Sequence, residues 1–183
     1  MKIRPWLHSI IHLKNMYKLT FPNISHRDRS LAMIEEWWAF ESIPTSPSRL
    51  FAWENYQEFL QIVDDDHHIW RLPGIPATLF FFMEDEAILW AISLWHSVDH
   101  PDLSLSGSSI SYWLRPSARG KWLAREMLSL WLIEARKLGI EKVLISADEG
   151  NPASWKTIES CGWVFAKMIE KEGKMMKVYW ITL

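Results

Sequence analysis

The sequence predicts a layered α/β or α+β domain, with helices over one mixed sheet. Three observations carry this. Past Pro73-Gly74-Ile75-Pro76 the chain alternates short β-rich runs with helical stretches, the order of a layered fold. The run from about Gly120 to Leu138 keeps its apolar residues at helical spacing. The 183 residues, 49% apolar and 23% charged, suffice for one sizeable core.

Taken in order, a short strand opens at about Tyr17–Phe21. Asn23-Ile24-Ser25 offers capping side chains to a helix from about Arg27 to Phe40, whose Leu31, Ala32, Ile34, Trp37 and Trp38 cluster at helical spacing. Pro44 and Pro47 break the chain before a second helix over Trp53–Val63, which Asp64-Asp65-Asp66 is expected to end. Ala77–Met83 and Ala87–His96 read as strands joined by the acidic turn Glu84-Asp85-Glu86. Ser108–Arg115 is another strand, stopped by Pro116. In the helix that follows, Leu123, Met127, Trp131 and Ala135 stand four apart, and Gly139 terminates it. Glu141–Ala147 is a strand. Asn151-Pro152 pairs an N-cap with a proline at the first helical position, and Cys161-Gly162 closes that helix. Trp163–Ile169 and Met176–Thr182 flank the Glu172-Gly173 turn, completing the order βααβββαβαββ. Residues 1–14 read as an N-terminal extension to one domain over 15–183.

Composition excludes several classes. A net charge of −2 lacks the basic stripe of a nucleic-acid binder, and no apolar run approaches the roughly 18 residues of a membrane span. His8 and His12 interrupt the greasy stretch after Lys2 and Arg4, so a secretory signal is not expected. The lone Cys161 rules out an internal disulfide framework and suits a reducing cytoplasm. His67-His68, adjacent on a loop, lack the spacing of a metal site, and His96, Asp99, His100 and Asp102 would need three convergent ligands; no metal is expected. The 13 tryptophans leave two readings: Trp37, Trp38, Trp53 and Trp70 pack a core or line an apolar acceptor pocket.

The stretch that carries chemistry is Arg115-Pro116-Ser117-Ala118-Arg119-Gly120-Lys121-Trp122-Leu123-Ala124-Arg125. It leaves a strand, turns and enters a long helix, which gathers unpaired amides, a helix dipole and the cations Arg115, Arg119, Lys121 and Arg125. Either it binds an anion such as a pyrophosphate, or it is a solvated basic helix start.

From about Tyr17 onward the chain resembles the GNAT superfamily of N-acetyltransferases. Arg119-Gly120-Lys121-Trp122-Leu123-Ala124 is similar to the family's pyrophosphate loop, Gln/Arg-x-x-Gly-x-Gly/Ala, at its first and last positions. Asn151-Pro152-Ala153-Ser154, followed by Glu159 and Gly162-Trp163, is similar to the family's Asn-x-x-Ser/Ala helix. Glu35-Glu36-Trp37, Pro76-Ala77-Thr78, His96, Arg115-Pro116-Ser117, Glu134-Ala135-Arg136 and Tyr179-Trp180-Ile181 look like one bacterial branch of predicted acetyltransferases. The resemblance implies a mixed, mostly antiparallel central sheet flanked by helices. It also implies acetyl-CoA as co-substrate and a small-molecule or peptide amine as acceptor, in a monomer or homodimer without nucleic-acid or membrane partners.

On that resemblance, the amides of about Gly120, Lys121, Trp122, Leu123 and Ala124, with Arg119, receive the pyrophosphate. The pantetheine arm runs beside Tyr112–Leu114, where an N–H near Leu114 polarises the thioester carbonyl. Asn151 and Ser154 match positions that contact the arm, although Asn151 is equally a helix cap. His96 is the candidate base, or else a hydrogen-bonded structural histidine; Glu84 and Asp148 are weaker ones. Two departures stand out: Trp122 replaces the central loop glycine, and Ile158 stands where many members place a tyrosine acid. Serines 106, 108, 109 and 111 and Trp113 occupy positions where that branch has glycines. Trp122 either stacks on the cofactor or fills the site. The alternatives to an N-acetyltransferase are therefore a non-catalytic GNAT-like CoA- or ligand-binding protein, and a Trp-rich sugar- or surface-binding one.

Overall fold

The computed structural model describes residues 16–40, 55–68, 76–96, 108–121, 123–171 and 173–183. Its elements are β1 (Tyr17–Thr20), α1 (Arg27–Phe40), α2 (Tyr56–His68), β2 (Ala77–Glu84), β3 (Ala87–Trp95), β4 (Ile110–Leu114), α3 (Leu123–Lys137), β5 (Lys142–Asp148), α4 (Pro152–Ser160), β6 (Val164–Lys171) and β7 (Lys174–Thr182). Short 3-10 turns, Ile24–His26 and Pro116–Ala118, precede α1 and follow β4. The expected layered α/β architecture is present. The expected single mixed sheet is instead, among the described residues, two antiparallel ones, ordered β1-β2-β3-β4 and β5-β7-β6.

Two boundaries differ for identifiable reasons. The acidic run does not stop α2, which continues through it to His68. Asp64 and Asp65 are exposed, and Gln61 donates to Asp65 Oδ1 at 3.1 Å one turn on, so solvation and an i,i+4 bond offset a modest propensity cost. Helix α3 begins at Leu123 rather than Gly120, because Gly120 sits at φ +74, outside helical backbone space.

The first sheet is covered on both faces, which explains why β2 reads as unbroken apolar sequence. Leu79, Phe81 and Met83 point to one side and pack with Met33, Ile34 and Trp37 of α1 and Tyr56 and Phe59 of α2. Phe80 and Phe82 point to the other, meeting Trp90, Ile92 and Leu94 of β3 and Leu123, Met127, Leu128 and Trp131 of α3. Each fully buried side chain of this size contributes about 1.5–3 kcal/mol. The second sheet lays Val143, Ile145, Ala147 and Tyr179 against the same α3 core, with Ile158 of α4. No helix among the described residues is long and apolar enough to cross a membrane.

Candidate active site

Strand β4 ends the first sheet, β5 ends the second, and α3 carries the chain between them. Two serines decide how they meet. Ser109 N–H donates to Leu144 C=O at 2.9 Å, and Leu144 N–H donates to Ser109 Oγ at 2.8 Å. The Ser109 hydroxyl, 1% exposed as a residue, also donates to the Leu144 carbonyl at 3.1 Å. A side chain thus stands in for a backbone acceptor. Ser108 Oγ then accepts from Ile110 N–H at 3.2 Å and donates to Ile110 C=O at 2.6 Å. The polar groups of Ile110 are satisfied within their own strand, and among the described residues no ladder joins β4 to β5.

Beyond that point the edge of β4 is set by parity. Trp95 N–H donates to Ser109 C=O at 3.0 Å and Arg115 N–H to Leu89 C=O at 3.1 Å, so residues 111, 113 and 115 turn their amides toward β3. Tyr112 and Leu114 turn theirs the other way, toward the gap between the sheets. The structure therefore presents the two predicted edge amides as strand-like donors pointing away from β3.

The turn after β4 leads to the start of α3. Arg119 is extended, and Gly120 at φ +74 has nothing among the described residues within 4 Å of where a Cβ would stand. Glycine is needed there for backbone conformation. Leu123 turns its side chain into the core and Ala124 packs at the core's margin, while the first-turn amides of α3 have no partner within the helix. Arg119, Lys121 and Arg125 are exposed around this turn. Trp122 lies outside the described residues.

Arg115 is a correction. The spacing placed it among the anion-facing cations, but its Nε donates to Glu36 Oε2 at 2.6 Å, its Nη2 pairs with the same carboxylate, and its Nη1 donates to Ile88 C=O at 3.1 Å. Sequence spacing shows where charges cluster and says nothing of a counter-charge 79 positions away. The other Glu36 oxygen accepts from Ser117 N–H. Burial pushes the Glu36 carboxyl up, but bonds from Ser117 and Arg115 outweigh it and hold the group below its ordinary range. In the sequence Glu36 stands out only as part of the Glu35-Glu36-Trp37 motif. The available signal was its place three residues after the fully buried Met33, at the margin of a buried stripe where a carboxylate needs a partner.

Of the tryptophans, Trp37 is 2% exposed and donates Nε1–H to Leu114 C=O at 3.3 Å, whereas its neighbour Trp38 is 65% exposed. Trp53 and Trp70 lie outside the described residues, as do Asp99, His100 and Asp102. His96 is half-buried at the end of β3, beside the junction at Ser109. Its N–H donates to Pro76 C=O at 2.9 Å, and Nε2 shares a 2.7 Å hydrogen bond with Thr78 Oγ1 whose donor is set by the ring tautomer.

Past the end of β5, Asn151 Oδ1 accepts from Ser154 N–H at 3.2 Å and caps α4. Glu84 accepts from the Tyr17 hydroxyl at 3.0 Å, and Asp148 from Gly150 N–H at 2.7 Å, so both carboxylates serve strand ends. Tyr179 is fully buried with its hydroxyl donating to Glu159 at 3.0 Å; burial first, then Glu159, pushes the phenol up to about 12. Its proton is thereby committed to Glu159. Burial also pushes the Cys161 thiol up, keeping it unreactive.

By sequence, residues 18–164 match the acetyltransferase (GNAT) domain family. No curated protein matches the chain. In shape it is similar to RimJ of Mycobacterium smegmatis in complex with CoA-disulfide, at 15% identity over 91% of this chain and 81% of that one, TM-score 0.67. It is also similar to the microcin C7 self-immunity acetyltransferase MccE in complex with acetyl-CoA and AMP, at 17% identity over 92% and 93%, TM-score 0.65. A third likeness is to RimL, a ribosomal L7/L12 alpha-N-protein acetyltransferase in complex with coenzyme A, at 15% identity over 92% and 94%, TM-score 0.65. At these identities the likeness speaks for the fold alone.

Proposed function

The chain belongs to the GNAT acetyltransferase family, its domain spanning residues 18–164, and from that premise we propose that it moves an acetyl group from acetyl-CoA to a primary amine of a small molecule or peptide. The observation that carries this reading is that the outward amides of Tyr112 and Leu114 meet no neighbouring strand among the described residues, on a β4 edge that leads into the turn at Gly120 and whose Leu114 carbonyl is already taken by Trp37 and Arg119. An extended arm with amide groups suits a strand edge, and a diphosphate suits amides at a helix start flanked by Arg119, Lys121 and Arg125. The described residues suit acetyl-CoA, and proteins of similar fold hold acetyl-CoA, CoA-disulfide or coenzyme A.

In this reading acetyl-CoA supplies an activated acetyl group on a thiol leaving group. The amides of Gly120, Lys121, Trp122, Leu123 and Ala124 hold the diphosphate, and those of Tyr112 and Leu114 orient the arm and polarise the carbonyl. Asn151 and Ser154 border the arm from the start of α4. The acceptor must arrive unprotonated, and a lysine-like amine has a pKa near 10.4, so a proton has to be taken from it. His96 is assigned that task, with Thr78 orienting its ring. The reading places the protein in the cytoplasm, where lone Cys161 stays reduced.

Two replacements favour a second reading, a domain that binds CoA without turning it over: Trp122 for the loop glycine and Ile158 for the tyrosine acid. Calorimetric titration with acetyl-CoA, followed by thiol release across a panel of amines, separates them. Binding with release is expected. Binding without release across the panel selects the second reading, and no binding at millimolar concentration removes both.

A further inference from the structure

Glu36 places a carboxylate beside the turn assigned above to a diphosphate. An acid next to an anion site opposes binding unless its charge is cancelled and its bonds are needed. Both conditions hold. Arg115 cancels the charge through Nε and Nη2, with the two side chains only 18% and 17% exposed. Oε1 takes Ser117 N–H, at the beginning of the turn. The next residue along α1, Trp37, donates to Leu114 C=O. Two consecutive residues near the end of α1 thus hold Leu114, Arg115 and Ser117, the stretch that connects the open β4 edge to Gly120.

We infer that Glu36 is a positioning residue: with Arg115 it latches α1 onto the β4–α3 turn, so that the amides facing the diphosphate are set before it arrives, and Arg115 neutralises Glu36 without itself binding the anion. This rests on the acetyl-CoA reading. It ties the helical layer on one face of the sheet to a turn that opens on the other.

The test is calorimetric titration of coenzyme A into the full chain and three variants, with melting temperatures recorded alongside. E36Q keeps the shape and loses the charge, and it should bind about tenfold more weakly. R115M should be weaker still, because the carboxylate bonded at the beginning of the turn then lacks its counter-charge. Its extra defect should shrink as salt rises from about 0.05 to 0.5 M. The E36Q/R115M double variant should return to the E36Q level. That recovery and the salt dependence are effects a merely structural role would not produce, since affinity would then follow melting temperature alone. If E36Q folds and binds as the wild type does, the latch is wrong. If E36Q is unaffected while R115M and the double variant are equally weak, Arg115 is an anion ligand and the inference is overturned. Should E36Q not fold, the double variant decides, and wild-type affinity in it refutes the latch. A wild-type chain that binds no coenzyme A removes the acetyl-CoA reading, and the latch falls with it.

Discussion

His26 and His96 are both held by hydrogen bonds, and their surroundings put them to different uses. His26 is 6% exposed, with Nδ1 accepting from Asn23 N–H at 3.2 Å while Asn23 Oδ1 accepts from Ser25 N–H at 3.0 Å. This reciprocal cap opens the turn that starts α1. Burial first, then Arg29 and Lys18, hold its pKa below the ordinary histidine value. The unfolded chain takes up a proton near pH 6.5 while the native ring resists it, so the unfolded state binds more protons in that window. Stability is full above about pH 6.5 and declines as pH falls below it. Urea midpoints measured from pH 7.5 to 5 should show that decline, and H26Q, whose amide oxygen can still accept from Asn23, should flatten part of it; an unchanged slope would acquit His26. For His96 the proposed role predicts a different signature. H96A should lower kcat/KM by about 10²-fold or more and remove the acid limb of the pH–rate profile, leaving coenzyme A affinity intact. A retained limb would return His96 to a structural part.

Among the elements, the junction of β4 and β5 has the largest consequence for function. Had β4 paired with β5 along its length, Tyr112 and Leu114 would have spent their outward amides on a neighbouring strand. Where the two strands meet, Ser108 and Ser109 instead satisfy Ile110 and Leu144 with hydroxyls. S109A would leave Leu144 N–H without its acceptor, a loss of about 1–3 kcal/mol and several degrees in melting temperature. Coenzyme A affinity should fall with it, whereas S109T, which keeps the hydroxyl, should stay near wild type in both. Equal behaviour of the alanine and threonine variants would show that the hydroxyl does not set the junction. Element α1 has a comparable double duty. Its Met33, Ile34 and Trp37 fill the core, and its Glu36 reaches the turn beyond β4.

For the molecule as a whole, β2 is shared property. Phe81 belongs to the core under α1 and α2, Phe82 to the core under α3, and both are fully buried. Removing either ring by F81A or F82A should cost about 3–5 kcal/mol, a large part of the 5–15 kcal/mol typical of a domain. Because one strand backs both cores, either variant should lower the midpoint of one cooperative unfolding transition in urea. Two separate transitions, only one of them sensitive to F81A, would mean that the layers fold independently.

The sequence alone determined the order of the eleven helices and strands among the described residues and the cap at Asn151, because these depend on residues within a turn or a pleat of one another. Helix α1 could be bounded at Arg27 and Phe40 from Asn23-Ile24-Ser25 and the apolar spacing alone. The sequence's resemblance to the family proposed Tyr112, Leu114 and the Arg119–Ala124 stretch for one site, and strand, turn and helix are contiguous there. Tertiary structure decided what spacing cannot express. It left the expected single sheet as two among the described residues, tied by bonds between residues 35 positions apart, and it withdrew Arg115 from the cationic cluster through one 79 positions away. It also turned Trp37 inward and Trp38 outward. Local periodicity selects a face and a conformation, whereas a charge or hydroxyl far along the chain finds its partner only after the layers have closed.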